Sequence, residues 1–381
     1  MYGLRTDYFT LNPKTEANVF FVRKDEADKF LDYVKMTIRS GRVPKAVVFG
    51  DFGLGKTHFL HYLMHNLQDV AKPIYVETPP FHRRSRFTDL YGAIMRRLGG
   101  RYWIGLLADA VKLAGMDNEP LDTYLKLDPD LAFMIQNGIT GKDQHALWRY
   151  LAGEKLRSSE AGALSALSNQ LSEDEAVSIL NTMAVLIKQF EKRQLLILFD
   201  EIEHTNALAG DSMTIFREAI RGLVDESSNV GTIFAATGRA LDDLPIGITD
   251  DPVKRRIGLA NYILFQEYSK DDLKRFIIET IEYRRQPEFD VQAAIAKIKQ
   301  SHAGQSVPSV ETYPFDEVGV EKIVDTVALL RDGGKIMSVR PTEALGIMDR
   351  ALAIAITQEA SFVSTEIVTQ VCDEVIKMLG A

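Results

Sequence analysis

The eight residues Gly50-Asp51-Phe52-Gly53-Leu54-Gly55-Lys56-Thr57 set glycines, a lysine and a hydroxyl in the order G-x-x-x-x-G-K-T. Glycine lets the backbone bend so that its N–H groups point inward around an anion. A helix starting there adds its positive dipole end to the same anion. The chemistry is that of holding a nucleoside triphosphate: Lys56 supplies a point charge to the β- and γ-phosphates, and Thr57 offers its hydroxyl to magnesium. Taken alone, the pattern could be a glycine-rich turn with an exposed lysine. A second signature argues against that: Leu195-Leu196-Ile197-Leu198-Phe199 runs into the carboxylates Asp200 and Glu201. Asp200 is expected to hold magnesium through water, and Glu201 to polarise the attacking water.

Strands and helices must position these groups. Ala46-Val47-Val48-Phe49 predicts a strand before the loop, and Phe59, Leu60, Leu63, Met64 and Leu67 follow at helical spacing. The Asp200 run is wholly apolar, as in a central parallel strand covered on both faces, and ligands of open α/β sheets gather at the carboxyl ends of such strands. Further strands are predicted at Pro73-Ile74-Tyr75-Val76-Glu77, Thr232-Ile233-Phe234-Ala235-Ala236 and Tyr262-Ile263-Leu264-Phe265. Helices are predicted from about Phe87 to Leu98 and from about Glu173 to Lys192, the second opened by the capping pair Ser172 and Glu175. Strands alternating with helices mean a parallel sheet with right-handed crossovers.

Before the core, residues 1–42 read as a lead-in, with Phe30, Leu31, Val34 and Ile38 on one helix face. Residues 43–267 read as the α/β nucleotide-binding domain, interrupted by a mostly helical insertion at about 100–171. Residues 268–381 read as a helical lid, broken by a polar loop from about Gln300 to Pro314.

Composition narrows the class. The 381 residues carry a formal charge of −8, which argues against a globally basic nucleic-acid binder but not against a local patch. The single cysteine, Cys372, excludes an internal disulfide and suggests a reducing compartment. No signal-peptide core or membrane-length apolar run is present, so a cytoplasmic location is expected.

The order of motifs resembles the AAA+ ATPases, within them the initiator-like group of origin-recognition ATPases, helicase loaders and transposition regulators. The likeness covers most of the chain outside 100–171. It implies an α/β P-loop AAA+ parallel-sheet core with a helical insertion and an all-α lid, an ATPase using ATP and Mg2+. Phe21-Val22-Arg23-Lys24-Asp25-Glu26 looks like the lead-in beside the adenine, which brings in Arg23. Gly53 to Leu60, including His58, is similar to the phosphate loop of bacterial initiators and loaders. Arg255-Arg256-Ile257-Gly258-Leu259, with Phe265 and Tyr268-Ser269-Lys270-Asp271-Asp272-Leu273, resembles the arginine-finger strip and lid entry of origin-recognition ATPases. By that likeness Arg256 is the finger and Arg255 its alternate, Thr237 takes the polar sensor position where asparagine is commoner, and Arg340 before Pro341 resembles the second sensor.

A finger reaching a neighbour's nucleotide requires a head-to-tail homo-oligomer, a ring or a filament. The plainer alternative for Arg255 and Arg256 is a salt bridge to acids such as Asp250 and Asp251. In the resembled fold the connection after the second strand faces the central channel. Here it carries Arg83, Arg84 and Arg86, then Arg96, Arg97 and Arg101, against one acid, Asp89. Those arginines suit phosphate contact with double-stranded DNA, or ion pairs with the insertion or a neighbouring subunit. His58, His61 and His65 share a helix face without a metalloprotease arrangement and read as structural, and Glu203 and His204 read as loop residues.

The expected activity is a switch ATPase in a DNA transaction: transposition target regulation, loading of a partner on DNA, or phage defence. The length after Arg340 suits a lid without a winged helix, which favours a regulator or loader that recruits a protein partner. The phosphate loop is also similar to that of the ATP-binding component of bacteriophage-exclusion systems. The competing class is a signalling or scaffold NTPase that never touches DNA and docks proteins through 100–171.

Overall fold

A computed structural model describes residues 2–378 apart from 142, 226–227, 303–304, 333–334 and 337–338. The chain begins with α1 (Lys24–Arg39), β1 (Lys45–Gly50), α2 (Lys56–Asn66), β2 (Ala71–Glu77) and α3 (Phe87–Leu98). The insertion supplies α4 (Gly100–Asp117), α5 (Leu121–Leu125), α6 (Pro129–Thr140), α7 (Gln144–Leu151) and α8 (Ser158–Leu164). Then come α9 (Glu173–Glu191), β3 (Gln194–Asp200), α10 (Asp211–Leu223), β4 (Gly231–Thr237), α11 (Ile246–Thr249), α12 (Asp251–Ile257) and β5 (Tyr262–Phe265). The C-terminal part holds α13 (Lys270–Arg284), α14 (Val291–Ser301), α15 (Glu317–Leu329), α16 (Pro341–Thr357) and α17 (Thr365–Met378). Between α15 and α16 the two-residue strands β6 (Arg331–Asp332) and β7 (Lys335–Ile336) pair antiparallel, which the sequence pattern did not reveal.

The chain folds as two compact units. One comprises Lys29–Phe49 and Leu60–Leu264; the other comprises Met1–Asp28, Gly50–Phe59 and Phe265–Ala381.

The first unit is built on a sheet of order β2-β3-β4-β1-β5, so β4 lies between β3 and β1. β2 runs parallel to β3 with Tyr75 opposite Leu198 and Glu77 opposite Asp200, and β3 runs parallel to β4. β1 and β3 are buried along their whole length and β4 up to Thr237, which explains their unbroken apolar runs. Ser172 caps α9 as expected: its hydroxyl accepts from the Glu175 N–H, and Glu175 accepts from the Ser172 N–H. The insertion does not stand apart. Trp103, Leu107, Met134, Ile135, Leu147 and Leu151 share one core with Ile94 of α3, Met183 and Ile187 of α9 and Phe199 of β3. Gly138 permits the close approach of α6 and α7, since a Cβ there would fall 2.8 Å from Leu147 Cβ.

The second unit packs α13, α15, α16 and α17 around Leu273, Ile277, Ile281, Ile323, Val324, Met348, Leu352, Val368 and the buried Cys372. Ser269 opens α13 with a capping box to Asp272. The N-terminal segment is tied into this unit by a buried Arg284–Glu16 ion pair and by the Tyr2 hydroxyl, which donates to the Ala360 carbonyl at 2.6 Å. No described helix is long and apolar enough to cross a membrane.

Candidate nucleotide site

The phosphate loop belongs to the second unit. Gly53 and Gly55 adopt φ of +79° and +90°, conformations that side chains disfavour, so the glycines of the motif are required by the turn. Lys56, only 8% exposed, folds back so that Nζ donates to the Gly50 and Asp51 carbonyls at 2.9 Å each. Asp51 in turn accepts from the Phe52 N–H at 2.8 Å. Leu54 anchors the loop in the core, while Phe52 is 64% exposed. The Thr57 hydroxyl, at the first turn of α2, is half-buried and engages no described partner.

Arg340 meets this loop. It is the residue before α16, with Pro341 at the first helical position. Its guanidinium lies 4.0 Å from the Asp51 carboxylate and 6.0 Å from the centre of the Phe52 ring. A Cβ on Gly53 would fall 3.1 Å from Arg340 Cδ and from the Thr342 hydroxyl, so Arg340 lies directly against the loop at this glycine. The sequence-predicted second sensor and the phosphate loop are therefore brought together.

The lead-in segment flanks the same loop. His58 Nε2 donates to the Val19 carbonyl at 2.7 Å, and its ring tilts against Phe20. Burial lowers the His58 pKa, partly opposed by that carbonyl and by Glu16. Arg23 donates to the Gln266 carbonyl and lies 4.4 Å from the centre of the Tyr268 ring. Val22, just before it, has φ of +61°, rare for a β-branched residue. Both its backbone groups are held from α13: the N–H donates to Glu279 and the carbonyl accepts from Arg275, each at 2.7 Å.

The acidic pair lies in the sheet unit. Asp200 is 3% exposed, and each carboxylate oxygen accepts one hydrogen bond: Oδ1 from the Glu201 N–H at 3.0 Å, Oδ2 from the Tyr75 hydroxyl at 2.8 Å. Glu201 has φ of +54° and leads into a 3₁₀ helix, Ile202–Ala207. Glu203 and His204 thus sit in that helix rather than in an irregular loop. His204 Nδ1 donates to the Thr78 carbonyl at 2.9 Å, and Nε2 lies 3.7 Å from the Glu201 carboxylate. The Glu201 pKa is raised by burial, then by Asp200, Glu77 and Glu203, with His204 opposing. Thr237, half-buried, ends β4. Tyr75 and His204 had no signal in the motifs; they reach the acidic pair through strand register and the 3₁₀ turn.

Both arginines of the finger strip lie in the last turn of α12. Arg256 donates through Nε to Asp225 at 2.9 Å and through Nη1 to the Pro252 carbonyl at 3.0 Å. The acid Asp250 instead takes Arg217 at 2.7 Å. Arg255 is exposed and engages no described partner. In the connection after β2, Arg83 and Arg84 are exposed without described side-chain partners, whereas Arg86 pairs with the buried Glu173 at 2.8 Å.

Residues 132–327, just over half of the chain, match the family model described as BREX system ATP-binding protein BrxC/D. The chain belongs to that family. The matched segment contains Asp200, Glu201, Thr237 and Arg256; the phosphate loop precedes it. The fold of this BrxC/D-family chain is that of P-loop AAA+ ATPases of the initiator type. Cdc6p from Pyrobaculum aerophilum is similar, at TM-score 0.50 and 13% identity, with 93% of this chain covering 67% of that one. So are Aeropyrum pernix ORC1 in complex with DNA, at 0.50 and 14% (94% and 66%), and A. pernix ORC2, at 0.51 and 14% (93% and 67%). The chain spans about two thirds of the length of those structures. No curated protein matches it. The BrxC/D-family chain is an ATPase, and of the two sequence resemblances the bacteriophage-exclusion one names its family.

Proposed function

We propose that this BrxC/D-family ATPase is a magnesium-dependent switch that assembles head to tail and acts on double-stranded DNA during bacteriophage exclusion. The observation that carries the reading is the loop itself: a buried lysine resting on its own loop carbonyls, glycines at positive φ, and Arg340 seated over Gly53. In this reading the Lys56 ammonium exchanges those carbonyls for phosphate oxygens, and the loop N–H groups with the start of α2 hold the remaining charge.

Magnesium fits the donors available. The Thr57 hydroxyl and the Asp200 carboxylate are hard oxygen ligands, and each Asp200 oxygen keeps a lone pair beyond the hydrogen bond it accepts. When bound, the ion neutralises charge on the β- and γ-phosphates. Glu201 orients water and accepts its proton, a task suited to a carboxylate whose basicity is raised by burial. Arg340 and Thr237 act as sensors within the subunit. Arg256 is presented to the neighbouring subunit's nucleotide, where a finger contributes roughly 10³ to 10⁵ in rate. Arg83 and Arg84 contact DNA phosphates, and a partner protein receives the switch's output in the cytoplasm.

The test is sedimentation of the full chain with duplex DNA, with and without a slowly hydrolysed ATP analogue, across a salt series. The reading expects analogue-dependent oligomers that retain DNA at low salt and release it as salt rises. Oligomers without DNA in every nucleotide state would favour a scaffold that docks proteins.

A further inference from the structure

We propose that Tyr75 is a positioning residue for the magnesium carboxylate: its hydroxyl, fixed on the neighbouring strand, sets the rotation of the Asp200 side chain. The inference rests on the role given above to Asp200.

The argument begins with register. Tyr75 pairs with Leu198 and Glu77 with Asp200, so Tyr75 and Asp200 lie on the same sheet face in a diagonal relation. Only a long side chain spans that diagonal. The phenol does so, and its O–H meets Oδ2 at 2.8 Å. Behind it, the His61 ring stacks on the Tyr75 ring with centroids 4.2 Å apart and planes 30° apart. The ring is therefore held between its own strand and α2 and cannot swing away.

The carboxylate torsion of aspartate is broad and costs little to turn. In Asp200 it is defined by two donors, the Glu201 N–H on Oδ1 and the Tyr75 O–H on Oδ2. The backbone donor alone leaves the second oxygen free to rotate. With both in place, the remaining lone pairs point in fixed directions, and a metal-bound water can be met without reorganisation. Partners of ligating carboxylates typically carry about 10- to 100-fold in metal affinity or activity. Phenylalanine keeps the ring and its stacking and removes only the donor.

The experiment uses the full chain and a fluorescent, slowly hydrolysed ATP analogue, with binding read by anisotropy along a Mg2+ titration. Tyr75→Phe is expected to raise the half-saturating Mg2+ about 10-fold, leaving analogue affinity in EDTA unchanged. In an Asp200→Asn background, Tyr75→Phe should add no further shift, because the two changes remove one interaction. His61→Leu, which frees the ring without removing the phenol, should shift the requirement in the same direction by a smaller factor. If Asp200→Asn raises the Mg2+ requirement while Tyr75→Phe and His61→Leu do not, the role of Tyr75 is overturned and that of Asp200 stands. If Asp200→Asn itself causes no change, the assignment of Asp200 falls and this inference with it.

Discussion

Asp225 holds Arg256 in place: carboxylate Oδ2 accepts from guanidinium Nε at 2.9 Å, and the backbone of Asp225 is itself gripped by the buried ammonium of Lys45. The side chains are 28% and 35% exposed, so the pair is worth about 0–1 kcal/mol and can be exchanged for a phosphate at small cost. The finger reading expects Asp225→Ala to raise ATP turnover by up to about fivefold at subunit concentrations below full assembly, since 1 kcal/mol corresponds to about that factor. Turnover against protein concentration measures it, and a parallel drop in rate would assign the pair a structural role.

Arg256→Ala should abolish the concentration-dependent part of turnover, a fall of about 10³-fold, and leave nucleotide affinity intact. Arg255→Ala is the control for the choice between neighbours. A larger loss from Arg255, which has no described partner, would transfer the role to it.

Lys56→Ala and Glu201→Gln separate binding from chemistry. The first should remove measurable ATP binding. The second should retain it while slowing turnover by about 10²- to 10⁴-fold, the usual contribution of a positioned base. Equilibrium binding of the labelled analogue beside a phosphate-release assay reads both.

The central strands and α3 were legible because each run is long, apolar and bounded by turn residues, and the Ser172 cap because its partner lies three residues on. The phosphate loop was legible from residue type alone, since only glycine tolerates φ near +80° to +90° at 53 and 55. What could not be read depends on register and packing. Nothing local marks Tyr75 as a partner of a residue 125 positions away, or Asp225 as the partner of Arg256 in preference to Asp250. The insertion shares the sheet's core through Trp103 and Leu107, which no motif encodes.

The arginines after β2 divide into two groups. Arg83→Ala with Arg84→Ala should weaken duplex binding and reduce the slope of log affinity against log salt by about 2 per subunit engaged. Fluorescence anisotropy over a salt series checks this, and an unchanged slope would remove these residues from the interface.

Arg86→Ala should instead act on stability. Burial raises the Glu173 pKa and Arg86 opposes it, so the folded chain resists losing that proton more once Arg86 is gone. A carboxyl with a raised folded pKa stabilises most below its unfolded value and loses that contribution as pH rises through the folded one. The cost of Arg86→Ala is therefore near zero below the ordinary glutamate range and grows to about 1–2 kcal/mol at neutral pH. Urea denaturation at pH 4 and pH 7.5 measures the difference.

At position 22 a valine sits in a backbone region that costs about 1–3 kcal/mol and is occupied only because α13 clamps both sides of it. Severing Glu279 or Arg275 would let that joint relax toward extended geometry and carry the following arginine off its aromatic seat on Tyr268. The joint at residue 22 is thus spring-loaded, its shape maintained by the two α13 side chains that hold its N–H and its carbonyl.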